Sequence, residues 1–242
     1  MILLATHLAF GDTLDAQVMT NSAGATMRWA TMPVEFKVDP TNSLSLDESG
    51  VVSAVVSAGG QWSGAAGAAI SSRFRGAKVG LEAGYDDVNV VMFRDVWEWS
   101  PDLLAVTQTW SRQDGEIVDF DMMINAEDHA WTLDGQSDAT DLWNTVSHEF
   151  GHALGIGHNG EDHAATMYPV AVDGETMKRD LDVSDQQIAA FLYPGGDGAD
   201  ADGAMAADRP GCNVLSAEIP QSSFFIGAIA ALSLVSRRRK EA

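Results

Sequence analysis

Between Ser147 and Asn159 the chain reads SHEFGHALGIGHN, which holds three of its six histidines together with Glu149. His148 and His152 are four positions apart, so on a helix both imidazoles project from the same side. A third ligand can join them only if the helix stops quickly and the chain swings back. Gly155 allows that reversal, because glycine takes positive φ without a Cβ clash. His158 then supplies the third imidazole.

Two imidazoles on one helical face can take a single zinc ion at about 2.0–2.1 Å. Glu149 lies too far round to be a ligand beside them, yet can reach a water held by the metal and accept its proton. Three neutral histidines leave the ion its full positive charge and an open position, where water becomes acidic enough to act near neutral pH. The pattern specifies hydrolysis by an activated water, not attack by Ser or Cys. His163 lies near in sequence and is read as a solvated loop histidine.

The rest of the chain supplies a scaffold for such a helix. Val34, Phe36 and Val38 alternate with Glu35 and Lys37, the period of a half-buried strand. A helix follows from Leu46-Asp47 to about Trp62, with Val51, Val55, Gly59 and Trp62 on one stripe. Strands are predicted at 88–93, 103–110 and 117–124. Polar capping candidates at 138–140 precede the histidine helix, expected from about Asp141 to Leu154, with one apolar side and the other facing a cleft. LDVSDQQIAAFLYP marks a last helix, with Ser184 as N-cap and Gln187 answering it. The fold class is therefore α/β (α+β), with a twisted mixed sheet.

Composition sets outer limits. Fourteen basic residues against 35 acidic ones give a net charge of −21, which argues against any nucleic-acid partner. That balance fits an extracellular or periplasmic surface. The single cysteine, Cys212, excludes an internal disulfide framework and a four-thiolate zinc module. MILLATHLAFG has the apolar character of a signal-peptide core without a basic residue before it, and reads either as a shortened export signal or as an opening strand. Four regions result: an N-terminal segment 1–27, a folded domain 28–194, an acidic Gly/Ala/Asp linker 195–211, and a tail 212–242. Asp197, Asp200 and Asp202 in the linker lack the glutamate-closed loop of an EF-hand, and a hydrated spacer is the favoured reading.

HEFGHALGIGH at 148–158 matches the extended zinc signature HExxHxxGxxH of the metzincin metallopeptidases, which carry a downstream Met-turn. With ATMYP at 165–169, the chain resembles the matrixin branch, which contains the matrix metalloproteinases and bacterial relatives. The resemblance extends over about 28–194 and includes GEIVDFDMMIN at 115–125 and the last helix. It implies a zincin-like catalytic domain with one catalytic Zn2+ and a shallow cleft. The peptide substrate would lie extended beside an edge strand at 103–109. Met167 would floor the three histidines, and Tyr168 and Pro169 would begin the wall of the pocket after the scissile bond. Matrixins usually continue that wall with another tyrosine, whereas this chain has Val170-Ala171. Only His7 and His129 precede the histidine helix, so no second zinc is expected. Asp86, Asp87, Asp119 and Asp121 are either structural Ca2+ ligands or surface charge.

The tail has three parts: Gly211-Cys212, an apolar run from Phe224 to Val235, and the basic cluster Arg237, Arg238, Arg239 and Lys240. It resembles the C-terminal sorting tails of myxobacterial and related surface proteins. That resemblance implies export to the cell surface, membrane retention through the tail and processing by sorting machinery near Cys212. The sequence leaves the oligomeric state open. The expected function is a zinc endopeptidase acting on protein or peptide substrates. The rival is a non-catalytic surface binding module that keeps the metal scaffold.

Overall fold

A computed structural model describes residues 17–195 and the backbone of Ile229–Ala231. The linker aspartates, Gly211, Cys212 and the basic cluster lie outside these residues. In chain order come β1 (Val34–Asp39), α1 (Glu48–Ser63), β2 (Ser72–Ala77), β3 (Val90–Arg94), β4 (Ala105–Ser111) and β5 (Ile117–Asn125). Two short strands follow, β6 (Trp131–Thr132) and β7 (Thr140–Asp141). Then come α2 (Leu142–Ala153), a 3-10 turn at Met177–Arg179, α3 (Val183–Leu192) and β8 (Ile229–Ala231). The main sheet runs β2-β1-β3-β5-β4-β8, parallel as far as β5 and antiparallel from there on.

The alternation in β1 buries Val34, Phe36 and Val38 against the helices, as its period requires. The expected stripe of α1 is buried as well, and its N-cap is Asp47, whose carboxylate accepts from Gly50 N. Gly59 and Gly60 lie within this helix. Gly59 brings it close to its neighbours, since a Cβ there would lie 3.2 Å from the Phe150 ring. β2 is not foreseen from sequence. SRFRGA alternates half-buried and exposed positions on an outer edge, where Arg73 and Arg75 flank Glu35. Such a strand carries no apolar run to announce it.

Both faces of β3 are covered, which explains its nearly unbroken apolar run. Val91 and Phe93 face the helices. Val90 and Met92 join Trp97, Leu103, Val106 and Met123 under the 81–103 connection. On that second face β5 presents Asp119 and Asp121, both fully buried. Asp119 Oδ2 accepts from the backbone N–H of Asp86 and Asp87, at 2.9 and 3.0 Å. Asp121 accepts from Gly84 N at 2.7 Å and Val90 N at 3.2 Å. These carboxylates peg the 84–90 loop to the sheet rather than converge on a point.

Burial pushes Asp119 up to about 6 and Asp121 up to about 7, against the pull of those N–H groups. The ordinary value is 3.8, so between there and about 6 the folded state keeps a proton on Asp119 that the unfolded chain releases. This contribution to stability is present at low pH and lost as pH rises. Asp119 Oδ1 has no hydrogen-bond partner, so asparagine can keep the acceptor for both N–H groups while removing the charge. With both proteins freed of metal, Asp119→Asn is expected to exceed wild type by about 1–2 kcal/mol in denaturant unfolding at pH 8. The gap should narrow as pH falls through about 6 and close only around and below the ordinary value of 3.8; a gap independent of pH would contradict the assignment.

Two capping expectations are corrected. The cap of α2 is Asp141, not a residue in 138–140; its side chain accepts from Asn144 N and is gripped by Arg179 through Nε at 2.9 Å and Nη2 at 2.5 Å. For α3 the reciprocal cap is Asp182 with Asp185, earlier in the chain than the Ser184–Gln187 pair. Residues ahead of 28 join the packing: Met27 is fully buried and the segment from Gln17 braces the end of α2. Ile229–Ala231, inside the apolar run read as a membrane stretch, form a strand on β4, and no helix among the described residues is long and apolar enough to cross a membrane.

Candidate metal centre

The apolar residues Leu142, Val146, Phe150 and Ala153 seat α2 on the core, with Phe150 edge-on to Phe36 at 5.2 Å. Trp62 Nε1 donates to Ser147 O at 2.8 Å, fixing α2 against α1 one residue before the first histidine. The opposite side of α2 carries His148, Glu149 and His152. These too are buried.

Helix α2 ends in a Schellman turn. Gly155 N donates to His152 O and Ile156 N to Gly151 O, both at 2.9 Å, with Gly155 at φ +86°. The reversal is braced from outside. Met19 N donates to Gly155 O, Gly157 N donates to Gln17 O, Trp29 Nε1 to Ala153 O, and the Tyr193 hydroxyl to Leu154 O. The carbonyls left open at the helix end are therefore taken by residues more than 35 positions away.

The reversal brings the three imidazoles together. Nε2 of His152 lies 3.1 Å from Nε2 of His148 and 3.2 Å from Nε2 of His158. Two ligands on one tetrahedral ion at zinc–nitrogen distances stand about 3.3 Å apart, so the spacing fits zinc. The other ring nitrogens are engaged: His148 Nδ1 with Thr166 O at 2.6 Å, and His152 Nδ1 with Ile156 O at 2.8 Å. A carbonyl accepts only from N–H, which places the proton on Nδ1 and frees Nε2 for a metal. Burial, reinforced by the neighbouring imidazoles, drives His148 well below the ordinary histidine range and His152 to about 3, and burial lowers His158. The rings are neutral, as ligands must be. Among the described residues this is the one group of three or more His, Cys, Asp or Glu side chains whose ligand atoms converge.

The turn beneath the histidines is tied to α3. Asp185, buried at the helix start, accepts from Thr166 N at 2.6 Å and Met167 N at 3.1 Å. Thr166 O in turn orients His148, and Met167 O accepts from Asn159 N, next to His158. The Met167 side chain is buried against α2, where a Cβ on residue 151 would lie 2.1 Å from its sulfur. Gly151 is thus required by Met167. Sequence reasoning does not single out Asp185; the spacing D-x-x-D from Asp182 is its only local signal.

His163 is not among the convergent ligands; its ring packs on Tyr168 at 4.2 Å. Tyr168 and Pro169 follow the turn, half-buried, and beyond them Val170 O accepts from the buried ammonium of Lys178 at 2.9 Å. Lys178 also pairs with Glu175. Glu149 is wholly buried. Its Oε2 accepts from the Thr107 hydroxyl at 2.5 Å, and its Oε1 has no partner. Without an ion, burial pushes this carboxyl up to about 8, with the Thr107 hydrogen bond pulling the other way; a cation held by the histidines would favour its charged form.

A mixed sheet, a helix bearing two imidazoles and a glycine turn bringing back a third together define a zinc metallopeptidase scaffold. A search of the curated proteins finds no match. The chain belongs to the matrixin family of peptidases: the family model described as Matrixin matches residues 28–194.

Proposed function

We propose that this matrixin is a zinc endopeptidase that cuts extended polypeptides, with Glu149 as general base. The observation that carries the reading is the convergence of three Nε2 atoms on one point, with Glu149 next to His148 on α2, buried and with one carboxyl oxygen unpartnered. His148, His152 and His158 hold the ion, and Met167 packs beneath them. When bound, zinc supplies a Lewis acid that acidifies water and polarises the carbonyl under attack. Glu149 takes the proton of the attacking water and returns it to the leaving amine.

The substrate lies along the outer edge of β4, with backbone hydrogen bonds for general affinity and side-chain pockets for selectivity. Support comes from β8. Ile229–Ala231 pair antiparallel with this edge, Gln108 opposite Ile229 and Val106 opposite Ala231, so an extended chain fits there. Tyr168 and Pro169 begin the wall of the pocket beyond the scissile bond. Export, membrane retention and processing at Gly211-Cys212 are proposed on sequence alone. Structural Ca2+ at Asp86, Asp87, Asp119 and Asp121 rests on the family resemblance alone.

A mixed peptide library is expected to be cut by the zinc-loaded protein, and chelation should abolish cleavage. Glu149→Gln should lower kcat/KM by about 10²–10⁴-fold while zinc content is unchanged. Stoichiometric zinc with no cleavage of any peptide would instead indicate the metal-containing surface binding module.

A further inference from the structure

A general base must hold its oxygen within about 2.6–3.2 Å of the proton it removes. Glutamate is poorly suited to this when unrestrained, since its long side chain has many rotamers open to it. Something must hold Glu149 in place. Among the described residues the only hydrogen-bond partner of its carboxylate is Thr107, on β4, 42 positions earlier in the chain.

The character of β4 makes this contact unusual. Alternation sends Ala105, Thr107 and Thr109 to the side facing α2, and all three are buried. A hydroxyl buried there is unfavourable unless it is hydrogen-bonded. Thr109 Oγ1 has no partner, whereas Thr107 Oγ1 lies 2.5 Å from Glu149 Oε2 and 3.3 Å from Glu149 O. One hydroxyl hydrogen serves one acceptor well, and the carboxylate contact is much the shorter. Threonine is also stiff about χ1, and its backbone is fixed in the ladder opposite Met122. The donor therefore sits on a rigid element and does not follow the glutamate if the glutamate moves.

We propose that Thr107 is the positioning residue of Glu149: its hydroxyl anchors Oε2, fixes the side-chain rotamer and leaves Oε1 to take the proton of the attacking water. This rests on the peptidase reading above. It divides the carboxylate into an anchored oxygen and a working one. The anchor stands on the same strand whose outer edge receives the peptide.

The full-length, zinc-loaded protein tests it, using a fluorogenic peptide selected from the library. Thr107→Val keeps shape and removes the donor. It is expected to lower kcat by about 10–100-fold, the scale of a misplacement near 1 Å, with KM within about twofold and zinc content unchanged. Thr107→Ser keeps the hydroxyl and should recover kcat to within about threefold of wild type. A merely structural role predicts the opposite pattern: altered thermal stability and no selective loss of kcat. If the valine variant fails to fold, Thr107→Ala against Thr107→Ser carries the same comparison.

A second readout needs no turnover. In a crystal structure of zinc-loaded Thr107→Val the Glu149 carboxylate should leave its place beside residue 107. An unmoved carboxylate overturns the proposal, as does full kcat in Thr107→Val when Glu149→Gln is inert. A Thr107→Ser variant as impaired as the valine variant overturns it too. Each of these leaves the peptidase reading intact. An inert wild type, or a Glu149→Gln variant as active as wild type, overturns that reading and this proposal with it.

Discussion

Replacing His152 with alanine is expected to abolish both zinc retention and peptide cleavage. Of the three imidazoles, this one contacts both others through Nε2, and its Nδ1 is fixed by Ile156 O inside the turn. Removing the outer hydrogen-bond partner of a ligand typically costs 10–100-fold in metal affinity; removing the ligand itself should cost roughly that much again or more. A second measurement follows from linkage, because an ion that binds only the folded state raises its stability. At about a thousand times the dissociation constant that gain is near 4 kcal/mol. Wild type should therefore melt higher with zinc than after chelation, and in His152→Ala the difference should vanish. Zinc content by elemental analysis and paired melting curves decide it. A variant that keeps one zinc per chain and its zinc-dependent melting shift would refute the three-histidine centre.

The second large effect is expected at Gly155, far from any chemistry of its own. At φ +86° a side chain is already strained, and a Cβ would lie 2.1 Å from Met27 O and 2.9 Å from Met27 C. Those are backbone atoms of a buried residue, so they cannot swing aside as the end of a long side chain can. Left-handed strain and overpacking together suggest about 2–6 kcal/mol of destabilisation for Gly155→Val. If the protein still folds, the turn must shift, moving His158 and the carbonyl that orients His152. Denaturant unfolding of the metal-free protein measures the first effect, and zinc titration the second. Gly60→Ala is the matched control, since nothing lies within 4 Å of its Cβ direction and helix propensity favours alanine. Near-equal stability of the two variants would contradict the account of the turn.

Both positions are legible in the amino-acid sequence. The spacing of His148, His152, Gly155 and His158 admits few geometries, and the chain forms a helix, a Schellman turn and a returning ligand there. The first strand, the first helix and three interior or near-interior strands are legible as well, because burial writes a period of two or three to four into a sequence. β2 is not, since an outer strand with half-exposed positions has little burial to write. The caps of α2 and α3 stand one to three residues from the positions that local pattern suggests. Several Asp, Ser and Thr stand in a row at each site, and geometry chooses among equivalent acceptors.

The three-imidazole centre is written locally: residue types and spacings within eleven positions specify it, because helical rise and one glycine are local properties of the chain. How that centre is held, by contrast, depends on long-range contacts. Thr107 reaches Glu149 across 42 positions, Asp185 holds the turn under His148, and Trp29 and Tyr193 close the carbonyls at the end of α2. Each of these rests on hydrogen bonds between segments that are separate in the chain and adjacent only in the fold. No periodicity records such a meeting, because one donor in one place leaves no repeat to read.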